Sequence, residues 1–376
     1  MRRLALALTL AFGLSAPSAA ETLRIATYDV GLTRDGPGLL LAELAAPPEG
    51  ALAGVLAVIR AARPDVLLLT GFDHDHRGLA LAAFRARLGE GPDGIAYPYA
   101  FDAPVNAGEP SRRDLDGDGR TMGPGDARGW GRFPGQGGMA LLSRLPLDPA
   151  AVRSFRRLRW RDLPGATLPE RADGSPFPDA ASRGELRLSS RSHWDVPVVL
   201  PDGRRLHLLA SNPTPPLFDG PEGFNRHRNA DELAFWSAYL DGTAFADDAG
   251  ATASLAVGAV VLVGNLNLDP ADGAGEHRAI AALLAHPRLR DPRPASPGGA
   301  AAGAARADGG QAGDPGLDTA DWREDGPGNL RVDYVLPSAE LAVAGAGVFW
   351  PAPGVPLAEA AAATPHRLVW VDLALP

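Results

Sequence analysis

Six short stretches of the 376-residue chain set polar side chains at the ends of apolar runs, where a strand would present them at a sheet edge. They carry Asp29 in RIATYDV, Thr70 and Gly71 in VLLLTGF, Asn212 in LLASNP, Asn265 and Asn267 in VLVGNLNLDP, Asp333 in LRVDYVLP, and His366 in TPHRLVWV. Two carboxylates and an imidazole gathered at strand ends could move protons or hold a hard cation through oxygen. The three asparagines are the puzzle. An amide accepts no proton near neutral pH and carries no charge.

Other residues could do chemistry elsewhere. DLDGDGRT spaces Asp114, Asp116 and Asp118 alternately with Gly119 sixth, as in the first half of a calcium loop. The twelfth position is Gly125 rather than a bidentate glutamate, so Ca²⁺ binding and a set of turn-forming aspartates both remain open. His74 and His76 stand two apart in FDHDHRG, a spacing more common in solvated turns than in metal sites. Arg226 and Arg228 precede an apolar helical pattern, where guanidinium groups and a helix N-terminus can meet a phosphate. A solvated helix start explains them equally simply.

The elements that must position these groups follow from periodicity. LRIATYDV alternates as a strand, ALAGVLAVIRAARP has helical spacing, and VLLLTGF is a short buried strand, giving a β-α-β unit. GLALAAFRARLG, NADELAFWSAYL and HRAIAALLAH read as further helices. Strands are expected in GMALLSRLPL, WDVPVVLP, RRLHLLAS, AVVLVGNL, LRVDYVLP, AGVFWP and HRLVWVDLAL. Many strands with occasional helices predict a mixed-sheet α/β sandwich. Residues 109–136 and 296–316 read as loops, the second of low complexity and mobile. Trp194, Trp236, Trp350 and Trp370 fall in amphipathic elements and read as core.

The order and spacing of these strand-end motifs resemble the endonuclease/exonuclease/phosphatase superfamily, of DNase I-like fold. DLDGDGR, FPGQGGMALLS, LRLSSRSHWDVPV and LDTADW are similar to stretches of an exported bacterial branch. The resemblance implies two mixed β-sheets packed face to face with helices outside, a four-layer α/β sandwich. It also implies phosphoester hydrolysis with a divalent metal, commonly Mg²⁺, and an aspartate that activates water. Five positions depart from the pattern. Asp29 stands for an asparagine, Gly71 for a metal-ligating glutamate, Asn212 for a histidine, Asn265 for the water-activating aspartate, and Pro365 for an aspartate beside His366.

Each departure has a physical cost. Loss of a general base removes about 10²–10⁴-fold of rate. Gly71 withdraws an anionic ligand, leaving Asp29, Asn267 and Asp333 as oxygen donors for a loosely held cation. Pro365 offers no acceptor to fix the His366 tautomer. The expected protein is a catalytically impaired member that keeps its cleft and binds a phosphorylated or other anionic small ligand. Two alternatives stand beside it: an active phosphodiesterase or phosphatase rewired around Asp29, and a scaffold that binds partner proteins.

Composition bounds these readings. The chain contains no cysteine, so disulfides and thiolate metal sites are excluded. Net charge is −9, or −11 without Arg2 and Arg3, which disfavours non-specific nucleic-acid binding. Residues 1–20 read as a signal peptide: two arginines, a short apolar run, then Ser18-Ala19-Ala20. The expectation is one exported domain over 21–376, periplasmic or secreted, without a membrane span.

Overall fold

The computed structural model describes residues 22–305, 310–323 and 325–374. The signal-peptide expectation for residues 1–20 lies outside them. In chain order the strands are β1 (Thr22–Leu32), β2 (Val66–Phe72), β3 (Tyr99–Phe101), β4 (Gly138–Ser143) and β5 (Arg153–Ser154). Next come β6 (His193–Val199), β7 (Arg205–Ser211), β8 (Phe245–Ala246), β9 (Thr252–Ala253) and β10 (Ala259–Asn265). The last five are β11 (Ala320–Asp321), β12 (Asn329–Leu330), β13 (Asp333–Pro337), β14 (Val343–Val348) and β15 (Val369–Ala374).

Two mixed sheets result, ordered β14-β15-β1-β2-β4-β3 and β13-β10-β7-β6-β5. Strand alternation decides which side chains meet where. Ile25, Val66 and Leu68 face Trp194, Val196, Leu208, Val261 and Val263 in one apolar layer between the sheets. Their neighbours Ala26, Leu67 and Leu69 turn outward onto the helices Gly50–Ala62 and Leu79–Leu88. Val260 and Leu262 of β10 likewise turn onto Phe224–Leu240 and His277–Leu284. Both faces of the central strands are therefore apolar, as their unbroken hydrophobic runs require. Helix, sheet, sheet and helix form the predicted four layers.

The predicted tryptophans Trp194 and Trp236 are fully buried, and Trp350 nearly so. The described residues include no single helix long and apolar enough to cross a membrane.

One expectation fails. Within the stretch read as a mobile loop, Pro297–Ala305 is a helix. Its composition hid it, because glycine and alanine give no amphipathic pattern. Small size is what the helix needs: a Cβ added at Gly298 would fall on the Trp350 ring.

A second glycine sets the spacing at the cleft. A Cβ at Gly264 would overlap the Ser211 carbonyl on neighbouring β7. Gly264→Ala should therefore destabilise the fold by about 1–3 kcal/mol, the usual cost of overpacking, read from urea denaturation midpoints.

Candidate functional site

The ends of six strands converge on one hollow. Asp29, Thr70, Ser211 and Asn265 lie at the C-terminal ends of β1, β2, β7 and β10; Asp333 opens β13, and His366 just precedes β15. Asp29 pairs in register with Thr70, and Asn265 with Asp333. Contact between the two sheets is direct: Asn265 Nδ2 donates to Asp29 Oδ2 at 3.3 Å. Asn267, just beyond β10, donates from Nδ2 to Asn212 Oδ1 at 3.4 Å and to the Pro213 carbonyl at 2.8 Å. Asp29, Thr70, Asn265 and Asp333 are thus neighbours across the two sheets, with Asn267 set against Asn212.

His366 departs from the sequence reading. The proline at 365 was expected to leave its ring unanchored, yet His366 Nδ1 lies 2.8 Å from Asp333 Oδ2. The anchor comes from β13 rather than from the adjacent residue. Asp333 is fully buried, and Thr319 Oγ1 donates to the same oxygen at 2.9 Å. Burial would lower the His366 pKa, but Asp333 and Asp29 outweigh it and raise it to about 9. The ring is therefore a cation at neutral pH, with Nδ1 committed to Asp333. Trp322 packs edge-on against it at 5.0 Å.

Asp29 occupies space that a larger residue at 71 would need. A Cβ added at Gly71 would fall on Asp29 Oδ1, and Gly71 itself has the left-handed φ of +63°. The carboxylate gained on β1 thus fills the position of the side chain lost from β2. Gly31 N donates to its Oδ1 at 3.1 Å, while Thr70 Oγ1, at 3.0 Å, and Asn265 Nδ2 donate to Oδ2. The Asn265 oxygen is committed as well, accepting the Asn267 N–H at 3.0 Å. Asn267 holds that turn with φ of +54°, a conformation asparagine adopts more readily than most residues.

A divalent metal does not fit this donor set. Hard cations take several oxygen ligands, of which at least one or two are carboxylates free to coordinate. Here Asp29 already accepts three donors, Gly71 offers no side chain, and Asn265 turns its N–H₂ towards the half-buried Asp29 carboxylate. Asp333 Oδ1 is a buried acceptor with no partner, but Asp333 is shared with the His366 cation. One free carboxylate oxygen beside an imidazolium is too little.

Arg191 was not singled out in the sequence, although it sits in the motif SSRSHWD. It precedes β6 and is not at a strand end, so alternation gave no sign of it. Its Nε donates to the Gly137 carbonyl at 2.9 Å. A Cβ at Gly137 would lie 3.1 Å from Thr33 Oγ1 and 3.6 Å from Arg191 Nη2; Thr33 in turn donates to the Gly71 carbonyl. Burial draws the Arg191 pKa down, opposed by Glu232 and Asp29, and a guanidinium stays charged regardless.

The remaining candidates lie outside the hollow. The Asp114, Asp116 and Asp118 carboxylates do converge, with ligand atoms within 4.8 Å of one another. Their oxygens also hold turns, Asp114 accepting Gly117 N and Gly119 N, and Asp118 accepting Arg120 N. Asp116 Oδ2 takes the space of a Gly125 side chain, so the loop closes without the twelfth ligand. His74 pairs with Asp102 at 3.1 Å, whereas His76 is exposed; the two histidines form no joint site. Arg228 is buried, its guanidinium spanning the carbonyls of Leu188, Arg128, Arg187 and Ser189. Asp219 already accepts the N–H groups of Asn225 and Arg226 at that helix start. The phosphate position considered there is filled by the protein's own carboxylate.

A two-sheet α/β sandwich with an Asp–His pair and strand-end amides in its cleft defines a phosphoesterase-type protein. The chain belongs to the endonuclease/exonuclease/phosphatase family, whose model matches residues 41–366. Members of this family generally depend on a divalent metal. Among solved structures, it is similar to an endonuclease/exonuclease/phosphatase from Beutenbergia cavernae, at 18% identity and TM-score 0.53, covering 94% of this chain and 72% of that one. A family protein from Leptotrichia buccalis aligns at 11% identity and TM-score 0.50, over 94% and 100% of the two chains. These likenesses concern the fold. No curated protein matches the chain in sequence.

Two outcomes follow for the site. His366 gains its charge partners on folding, so its stabilisation is complete below about pH 6.5 and is lost as pH rises through about 9. The span corresponds to roughly 3 kcal/mol, and thermal melts from pH 6.5 to 9.5 should fall more steeply for the native chain than for His366→Gln. Gly71→Ala should cost about 1–3 kcal/mol by overpacking. In an Asp29→Ala background that cost should shrink towards the ~1–2 kcal/mol of left-handed backbone alone, measured as a double-mutant cycle.

Proposed function

We propose that this chain is a catalytically impaired phosphoesterase-family protein that holds a phosphorylated or similar anionic ligand in its cleft and hydrolyses it poorly or not at all. The observation that carries this reading is Asn265. It stands where the resemblance puts the water-activating base, and both ends of its amide are tied, one to Asp29 and the other to the Asn267 backbone. No proton acceptor is left at that position. What supports the binding half of the reading is the imidazolium at His366 and the N–H₂ group of Asn212, whose oxygen rather than nitrogen is engaged by Asn267. Retained cations and amides suit an anion, while the missing base and metal ligands remove the means to activate water. The signal-peptide pattern of residues 1–20 is the ground for proposing action outside the cytoplasm.

A rewired hydrolase built on Asp29 is the rival reading, favoured by the way this carboxylate fills the Gly71 position. The test is turnover of bis-p-nitrophenyl phosphate and p-nitrophenyl phosphate with Mg²⁺ or Mn²⁺. The expected rate is indistinguishable from that of the His366→Gln variant. Turnover abolished by Asp29→Ala would establish the rival instead.

A further inference from the structure

The one carboxylate that stands in for the absent metal ligands, Asp29, is itself negative, and a phosphate needs a positive partner. Resting on the reading of an anion-holding cleft, we infer that the Arg191 guanidinium serves as that partner and makes the cleft a metal-independent site for a phosphate monoester. Of the five N–H groups of this side chain, only Nε–H is engaged, by the Gly137 carbonyl. Neither Nη1 nor Nη2 makes a hydrogen bond or ion pair with any described residue. Elsewhere the buried arginines behave differently: Arg228 spans four carbonyls and Arg331 forks onto Asp291. A half-buried guanidinium whose two Nη groups are both unbonded among the described residues is equipped for a bidentate oxyanion.

Its position is the right one. Gly137 stands between its Nη2 and Thr33, whose hydroxyl donates to the Gly71 carbonyl, so Arg191 is two neighbours removed from the Gly71 position. The two acids that influence it electrostatically are Glu232 and Asp29. Neither is bonded to it. Glu232 is saturated by Ser190 N and Oγ and by Thr214 N. The charge of Asp29 is spread over three donors and answered by the His366 cation. Arg191 is therefore not consumed as an internal counter-ion. His366 and Arg191 both lie within electrostatic reach of Asp29, so two cations share the neighbourhood of that carboxylate. A bound phosphate would be met by charge and N–H groups with no metal between.

The test is isothermal titration of the purified chain with inorganic phosphate in EDTA, then with Mg²⁺. Binding is expected in EDTA and unchanged by Mg²⁺. Arg191→Gln should weaken it about 10–100-fold, as for loss of a charged hydrogen bond, with Arg191→Lys in between. Arg226→Gln, altering an exposed arginine outside the cleft, should have no effect. Should Arg191→Gln fail to fold, the native chain still decides: phosphate must shift the Arg191 side-chain N–H resonances. Phosphate bound only with Mg²⁺, or equally by Arg191→Gln, overturns the role of Arg191 and leaves the anion-holding cleft standing. No binding under either condition overturns both.

Discussion

Asp333 and His366 meet at 2.8 Å where the two sheets come together, and the rest of the cleft is arranged around that contact. A fully buried carboxylate is costly unless a cation shares its environment. Asp333 therefore requires the imidazolium, and the imidazolium in turn tolerates Asp29 nearby. Thr319 fixes the same carboxylate oxygen and ties the segment before β11 into the site. This pair belongs to the frame as much as to any reaction. Removing either member would leave the other buried without its counter-charge.

Seen this way, the substitutions around the pair form a coupled set. Asp29 on β1 and the missing side chain at Gly71 on β2 compete for one volume. Asn265 supplies a donor to Asp29, where an aspartate would place a second negative charge against it. Each change makes the next acceptable. The net effect is a hollow whose negative charge is balanced internally, by N–H groups and an imidazolium.

Much of this was legible in the sequence. Alternating and continuous apolar runs locate β1, β2 and β10 within two residues, whereas β4, β14 and β15 differ from the expected bounds by three or four. The tie between His366 and Asp333 was not legible, because partners 33 residues apart become neighbours only through sheet order. Adjacent Pro365 pointed the wrong way. Arg191 escaped notice for the same reason: its importance comes from unused donors, a property of surroundings and not of spacing. The Pro297–Ala305 helix was invisible because its packing depends on the absence of side chains.

The shared volume at Asp29 and Gly71 also imposes a direction on change. A lineage that regained a glutamate at 71 while keeping Asp29 would collide two carboxylates on a backbone already in the left-handed region. One that first reverted Asp29 would strip the imidazolium of its second counter-charge before any new ligand had arrived. Both single steps run uphill, so the pair at 29 and 71 behaves as a ratchet: exchanging a carboxylate on β1 for one on β2 requires two simultaneous replacements.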